Sequence, residues 1–104
     1  MKTRWYHHVF AFFAGGIFIN FLPHFINGIS GRPFPSPFSD PPGVGLSSPV
    51  SNIVWAVINF LIAFAFVCFG KLNQRHQAIF ISYFVGALAM ALYLANYFGK
   101  LGLA

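Results

Sequence analysis

A chain of 104 residues has room for one domain, and this one is 58% hydrophobic and only 7% charged, against roughly a quarter charged residues in a soluble domain. So few charges cannot keep a water-facing surface soluble, which calls for lipid around the chain. The net charge of +5 comes from six Lys or Arg against Asp40 alone, and these cations are scattered between apolar segments rather than gathered on one face, which argues against nucleic-acid binding.

The expected fold is an all-α integral membrane protein with three transmembrane helices, at about 8–27, 49–70 and 78–98. A basic start with Lys2 and Arg4 leads into the first apolar run. That pattern also suits a signal peptide, but the run is about 20 residues long, enough to cross a bilayer. We expect it to be retained as the first helix. Pro23 falls in its last third, where it cannot donate to the carbonyl of Ile19 and should kink the helix. In a membrane, nearby polar groups must then satisfy that carbonyl. Asn20, His24 and Asn27 stand at i, i+4 and i+7 and so share a face.

The stretch 28–48 is the one sizeable loop. From Gly28 to Pro49 lie six of the seven prolines, four of the ten glycines and Asp40. Pro33, Pro35 and Pro37 favour an extended path. Its length exceeds the roughly 12–15 residues beyond which structureless loops become uncommon, so it is a functional element, a flexible one or a rigid spacer. Phe34 and Phe38 are placed to dip into the membrane interface or to cover the helix ends. Arg32 and Asp40 are available to pair, and with Phe34 and Phe38 they form the expected contact surface.

Ser48 followed by Pro49 is a good start for the second helix, a serine N-cap with proline at the first helical position. Cys68 near its end is the only cysteine, which rules out an intrachain disulfide and any cysteine-based metal site. A short polar turn, Lys71–Gln77, leads to the third helix, and Gly99, Lys100 and Gly102 end it. The short turn predicts a tight hairpin of the second and third helices. Asn52, Ala56, Asn59 and Ala63 mark one face of the second, Ser82, Gly86, Ala89, Tyr93 and Asn96 one face of the third. Alternating steps of four and three keep such faces toward a partner, and small residues let backbones approach. The antiparallel register would place Asn52 beside Asn96 and Ala63 beside Gly86. A second small face, Ala87, Ala91 and Ala95, is open to the first helix or to another copy.

Lys and Arg near helix ends tend to stay in the cytoplasm. Lys2, Arg4, Lys71 and Arg75 outnumber Arg32 and Lys100, so the amino end is expected inside the cell (inner) membrane and the loop and carboxyl end outside. Asn20, His24, Asn27, Asn52, Asn59, Tyr93 and Asn96 then gather in the outer half, beneath the loop. They form an expected polar pocket or seam.

His24 is the ionisable side chain well inside a span, and such residues are functional candidates. The plainer reading is that it bonds with the Asn side chains as glue between helices. A haem ligand would want a second histidine at matching depth, and His7 and His8 lie at the other face. No transmembrane carboxylate exists to carry protons, and no nucleophile–base pair or phosphate loop appears, so no enzyme is indicated. The first functional expectation is association, as an accessory or assembly subunit or a homo-oligomer, with the loop as contact surface. The second is an oligomeric unit that binds or transports a small solute or ion in the Asn/His-lined pocket. The third is a redox subunit holding haem or quinone through His24 and the tyrosines. The expected partners are the lipid bilayer and other membrane subunits or copies of the same chain.

Overall fold

The computed structural model describes residues 2–72 and 76–102; Arg75 and the centre of the turn before the last helix lie outside them. The described residues form three α-helices: α1 (Trp5–Ile29), α2 (Pro49–Phe69) and α3 (Gln77–Lys100). Each is long and apolar enough to cross a membrane. No strand occurs among the described residues; an isolated antiparallel bridge joins Phe34 to Ser47 in the loop.

Local chemistry sets the helix ends. At the start of α1 the backbone N–H of Arg4 donates to His7 Nδ1 at 3.0 Å. At the start of α2, Ser48 Oγ accepts from the backbone N–H of Ser51 at 3.1 Å, with Pro49 at the first helical position, where its missing N–H costs no hydrogen bond. α1 continues through Pro23 to Ile29. Asn27 Nδ2 donates to the carbonyl of Pro23 at 2.7 Å, so the nearby amide serves the proline's own carbonyl rather than that of Ile19.

α1 is the hub. It packs along its length against both α2 and α3, which make few contacts with each other. The expected seam between α2 and α3 is therefore not formed, for a reason visible at the glycines. A Cβ on Gly15 would run into the Tyr83 carbonyl, and one on Gly86 into the Phe12 carbonyl. These bare backbones let α1 and α3 close on each other, which uses the α3 face that had been assigned to α2. The pairs His8–Ser82, Phe12–Gly86 and Gly16–Met90 advance by four residues on each helix, so α1 and α3 run parallel. The α2 face marked by Asn52, Ala56, Asn59 and Ala63 is buried, but against α1 and the loop. Here Asn20 pairs with Asn59, His24 with Asn52, and the backbone of Ala11 with Gly70, an antiparallel order. Near the connection, Leu72 and Ile79 join Ala11 and Ala14 in a small apolar cluster.

The burial pattern inverts that of a soluble bundle. Apart from Leu72 and Ile79 the helix interior is small or polar, with Ala11, Ala14, Ala56, Ala63, Asn52 and Asn59 all buried. Large apolar side chains face outward, among them Phe13, Leu61, Phe64, Phe84, Leu88 and Leu92.

Candidate functional site

α2 and α3 leave a cleft beside α1 at the end where the long loop folds. The loop fills its mouth and is tied down from within. Phe34 and Ser47 exchange two backbone hydrogen bonds, 3.2 Å and 2.9 Å. Buried Ser36 and Ser47 bond through their hydroxyls at 2.5 Å, and Ser39 Oγ donates to the Ser36 carbonyl at 2.6 Å. Gly43 adopts φ +75° and its N–H returns to the Ser36 carbonyl at 2.9 Å. These bonds make residues 36–47 a closed turn structure built on serine. Phe34 wedges between His24, 5.5 Å away, and Phe98, 4.6 Å away. From α3, Tyr97 Oη donates to the Gly43 carbonyl at 2.7 Å, a latch across the roof.

Under this roof lies a cavity of about 360 Å³. α1 contributes Asn20 and His24, α2 Trp55, and α3 Tyr93, Tyr97 and Phe98. The loop adds the Ser36 and Gly43 region. Its wall holds no Lys, Arg, Asp or Glu among the described residues.

Two amide relays set the chemistry of the wall. Asn52, fully buried, donates through Nδ2 to the carbonyls of Phe34 at 2.9 Å and Ser48 at 3.1 Å. Its Oδ1 is thereby fixed as an acceptor and lies 2.7 Å from His24 Nδ1. Nδ1 must carry the proton, so in the neutral ring Nε2 presents its lone pair. In the second relay Asn59 Nδ2 donates to the Trp55 carbonyl at 2.9 Å, and Asn59 Oδ1 accepts from Asn20 Nδ2 at 3.0 Å. Asn20 Oδ1 is left as an acceptor. Neither His24 Nε2 nor Asn20 Oδ1 has a partner among the described residues, and neither is sealed from solvent-sized space. Each relay starts at a backbone carbonyl and ends on a residue of the cavity wall.

The remaining expected site residues fall elsewhere. Tyr93 lines the cavity and is otherwise exposed, whereas Asn96 is exposed on the outer side of α3 and not in the wall. Asn27 sits at the rim, its Oδ1 accepting from Arg32 Nε at 3.1 Å. Arg32 thus turns to α1 and not to Asp40, which is exposed at the loop's far edge. Phe38 is 59% exposed and meets Trp55 edge-on at 5.6 Å. Trp55 and Phe98 were missed by sequence reasoning. Trp55 is three residues after Asn52 and four before Asn59, so helical spacing could have put it on the polar face.

No three His, Cys, Asp or Glu side chains among the described residues are grouped to hold a metal ion. His7 is buried in the α1 cap, and His8 bonds Ser82 at 2.6 Å, both at the opposite end from the cavity. The wall offers acceptors at His24 Nε2 and Asn20 Oδ1 and donors at Trp55 and Tyr93, among several aromatic rings. Comparison with family models, with curated proteins and with solved structures finds no match to the chain.

Proposed function

We propose that the chain is a multi-pass protein of the cell membrane that binds a small molecule beneath its outward-facing loop. The inverted burial supports the membrane setting: in lipid there is no gain in hiding Phe or Leu, and helices meet through small and polar residues instead. Three apolar helices with their polar pairs turned inward fit that environment. In the sequence, Lys2, Arg4, Lys71 and Arg75 outnumber Arg32 and Lys100, which favours a cytoplasmic amino end and an external loop and carboxyl end.

The binding reading rests on one observation. His24 is 3% exposed and rigidly oriented by Asn52, yet its Nε2 has no partner among the described residues and its ring lines a cavity of about 360 Å³. A residue that served only as glue would have no reason to be aimed at open space. An intramembrane ionisable residue so placed marks a binding site. Native mass spectrometry of protein released from mild detergent tests this. The wild type is expected to carry a small-molecule adduct that His24→Ala loses; an adduct retained at full occupancy in His24→Ala would sink the reading.

Association with a membrane partner or with further copies is a second reading, favoured by the apolar side chains that the loop leaves outward. Phe38, Val44 and Leu46 are each more than half exposed. Replacing them and finding the same co-purifying proteins would argue against it.

A further inference from the structure

Further hollows line the α1–α3 contact below the cavity. Tyr93 is shared with a second hollow of about 210 Å³ between α1 and α3, lined by Phe13, Gly16, Ile17, Ala89 and Met90. That hollow shares Phe12 and Phe13 with a third, which reaches His8 and Ser82. The three stand in a row along the α1–α3 contact, and we term this row the furrow. From Tyr93 to Ser82 it runs roughly 16 Å at 1.5 Å per helical residue. Polar groups sit at its ends, at Asn20 and His24 and again at His8 and Ser82, and the middle is apolar.

The upper end selects by hydrogen bonding and by charge. His24 Nε2 and Asn20 Oδ1 both accept, while Trp55 Nε1–H and Tyr93 Oη–H in the same wall can donate, so a hydroxyl, which does both, suits the upper end. The wall has no counter-ion among the described residues, and burying an uncompensated charge is costly, so the occupant is neutral. Trp55, Tyr97 and Phe98 offer ring faces and edges to a flat group.

We propose that the ligand is an uncharged amphiphile with a hydroxylated aromatic ring as head and an alkyl or isoprenoid chain as tail. The head donates to His24 Nε2 and Asn20 Oδ1, and the tail lies in the α1–α3 furrow. This rests on the reading that the chain spans a membrane and binds a small molecule under its loop.

Trp55 is a built-in reporter, because Trp5, the other tryptophan, lies at the opposite end of α1. In phosphatidylcholine nanodiscs, a Trp5→Phe variant leaves Trp55 as the emitter, and a Trp55→Phe variant leaves Trp5 to report simple partition into lipid. The probes are hydroquinone and 2-decylhydroquinone. The decyl probe is expected to quench Trp55 saturably at a concentration at least ten-fold lower than hydroquinone, after correction for its effect on Trp5. His24→Phe should raise that concentration at least ten-fold. Ala89→Phe changes an exposed position that keeps its fold, fills the furrow and should erase the advantage of the chain while leaving hydroquinone unaffected. Saturable, His24-dependent quenching by hydroquinone with no gain from the decyl chain would overturn the amphiphile and leave the cavity reading standing. Absence of His24-dependent quenching by either probe would overturn both.

Discussion

Asn52 is occupied on every side: Nδ2 serves the Phe34 and Ser48 carbonyls, and Oδ1 holds His24. Removing it takes the Asn52 partner from the buried imidazole and the second hydrogen bond from the Phe34 carbonyl, which keeps the Ser47 N–H. Losing a partner of a buried polar group costs about 1–3 kcal/mol, so Asn52→Ala is expected to lower the unfolding free energy in detergent by that amount. Asn96→Ala, on an exposed side chain, should fall within about 0.5 kcal/mol of wild type. The Asn20–Asn59 pair has a simpler role between two helices. A double-mutant cycle with Asn20→Ala and Asn59→Ala is expected to return a coupling of about 0.6 kcal/mol, and at most about 1.7 kcal/mol, as for other hydrogen bonds between membrane helices. The polar residues themselves were legible in the sequence, since each interrupts an apolar run at helical spacing. Their division into wall and support was not. Whether an Asn faces a cavity or a neighbouring carbonyl depends on the partner across from it, and Ser47 and Phe34 are brought to Asn52 only by the folded loop.

Among the elements, the order of packing departs most from what spacing suggests. The steps of four and three in α2 identify its buried face, because period alone decides which side chains share a face. They carry no information on which helix covers it. Small residues occur on both α1 and α3, and the short turn favoured the wrong neighbour. What decides is backbone exposure at Gly15 and Gly86, which brings α1 and α3 together. Paired cysteines distinguish the two arrangements. A Cβ at Gly16 lies 3.7 Å from Met90 Cβ, within the 3.5–4.5 Å range of a disulfide. In a Cys68→Ser background, Gly16→Cys with Met90→Cys is expected to crosslink readily under oxidant. Ala56→Cys with Tyr93→Cys, a pair the same antiparallel α2–α3 register would join, should remain reduced on gel analysis. The loop carries a similar lesson. Its prolines announced an interruption, but its closure depends on Ser36, Ser39 and Ser47 meeting one another. Serine spacing in a loop has no period from which to read that.

For the whole molecule, composition was the strongest guide. A chain with 7% charged residues and three long apolar segments has few options other than spanning helices, because in lipid every backbone group must be satisfied within the segment. The asymmetry of basic residues sets the expected direction. A phosphatase fused at the carboxyl end should be active and a fluorescent protein fused there dark, since the first matures outside and the second inside; the reverse pattern would invert the orientation. The cavity was less accessible to such reasoning, because its wall draws on all three helices and the loop together. An aromatic such as Trp55 looks the same in sequence whether it faces lipid or a ligand.

The central position of α1 bears on how the molecule is made. α1 leaves the ribosome ahead of its two neighbours and already carries both docking faces. α2 can settle on it through the Asn20–Asn59 and His24–Asn52 pairs, with the loop closed over its start, while α3 is still being synthesised. Neither pair, nor the Phe34–Ser47 bridge, needs α3. The last helix then adds the latch from Tyr97 and the far wall of the cavity. Stepwise assembly in this order is expected, and a chain stalled before α3 would lack the part of the cavity wall that Tyr93, Tyr97 and Phe98 supply.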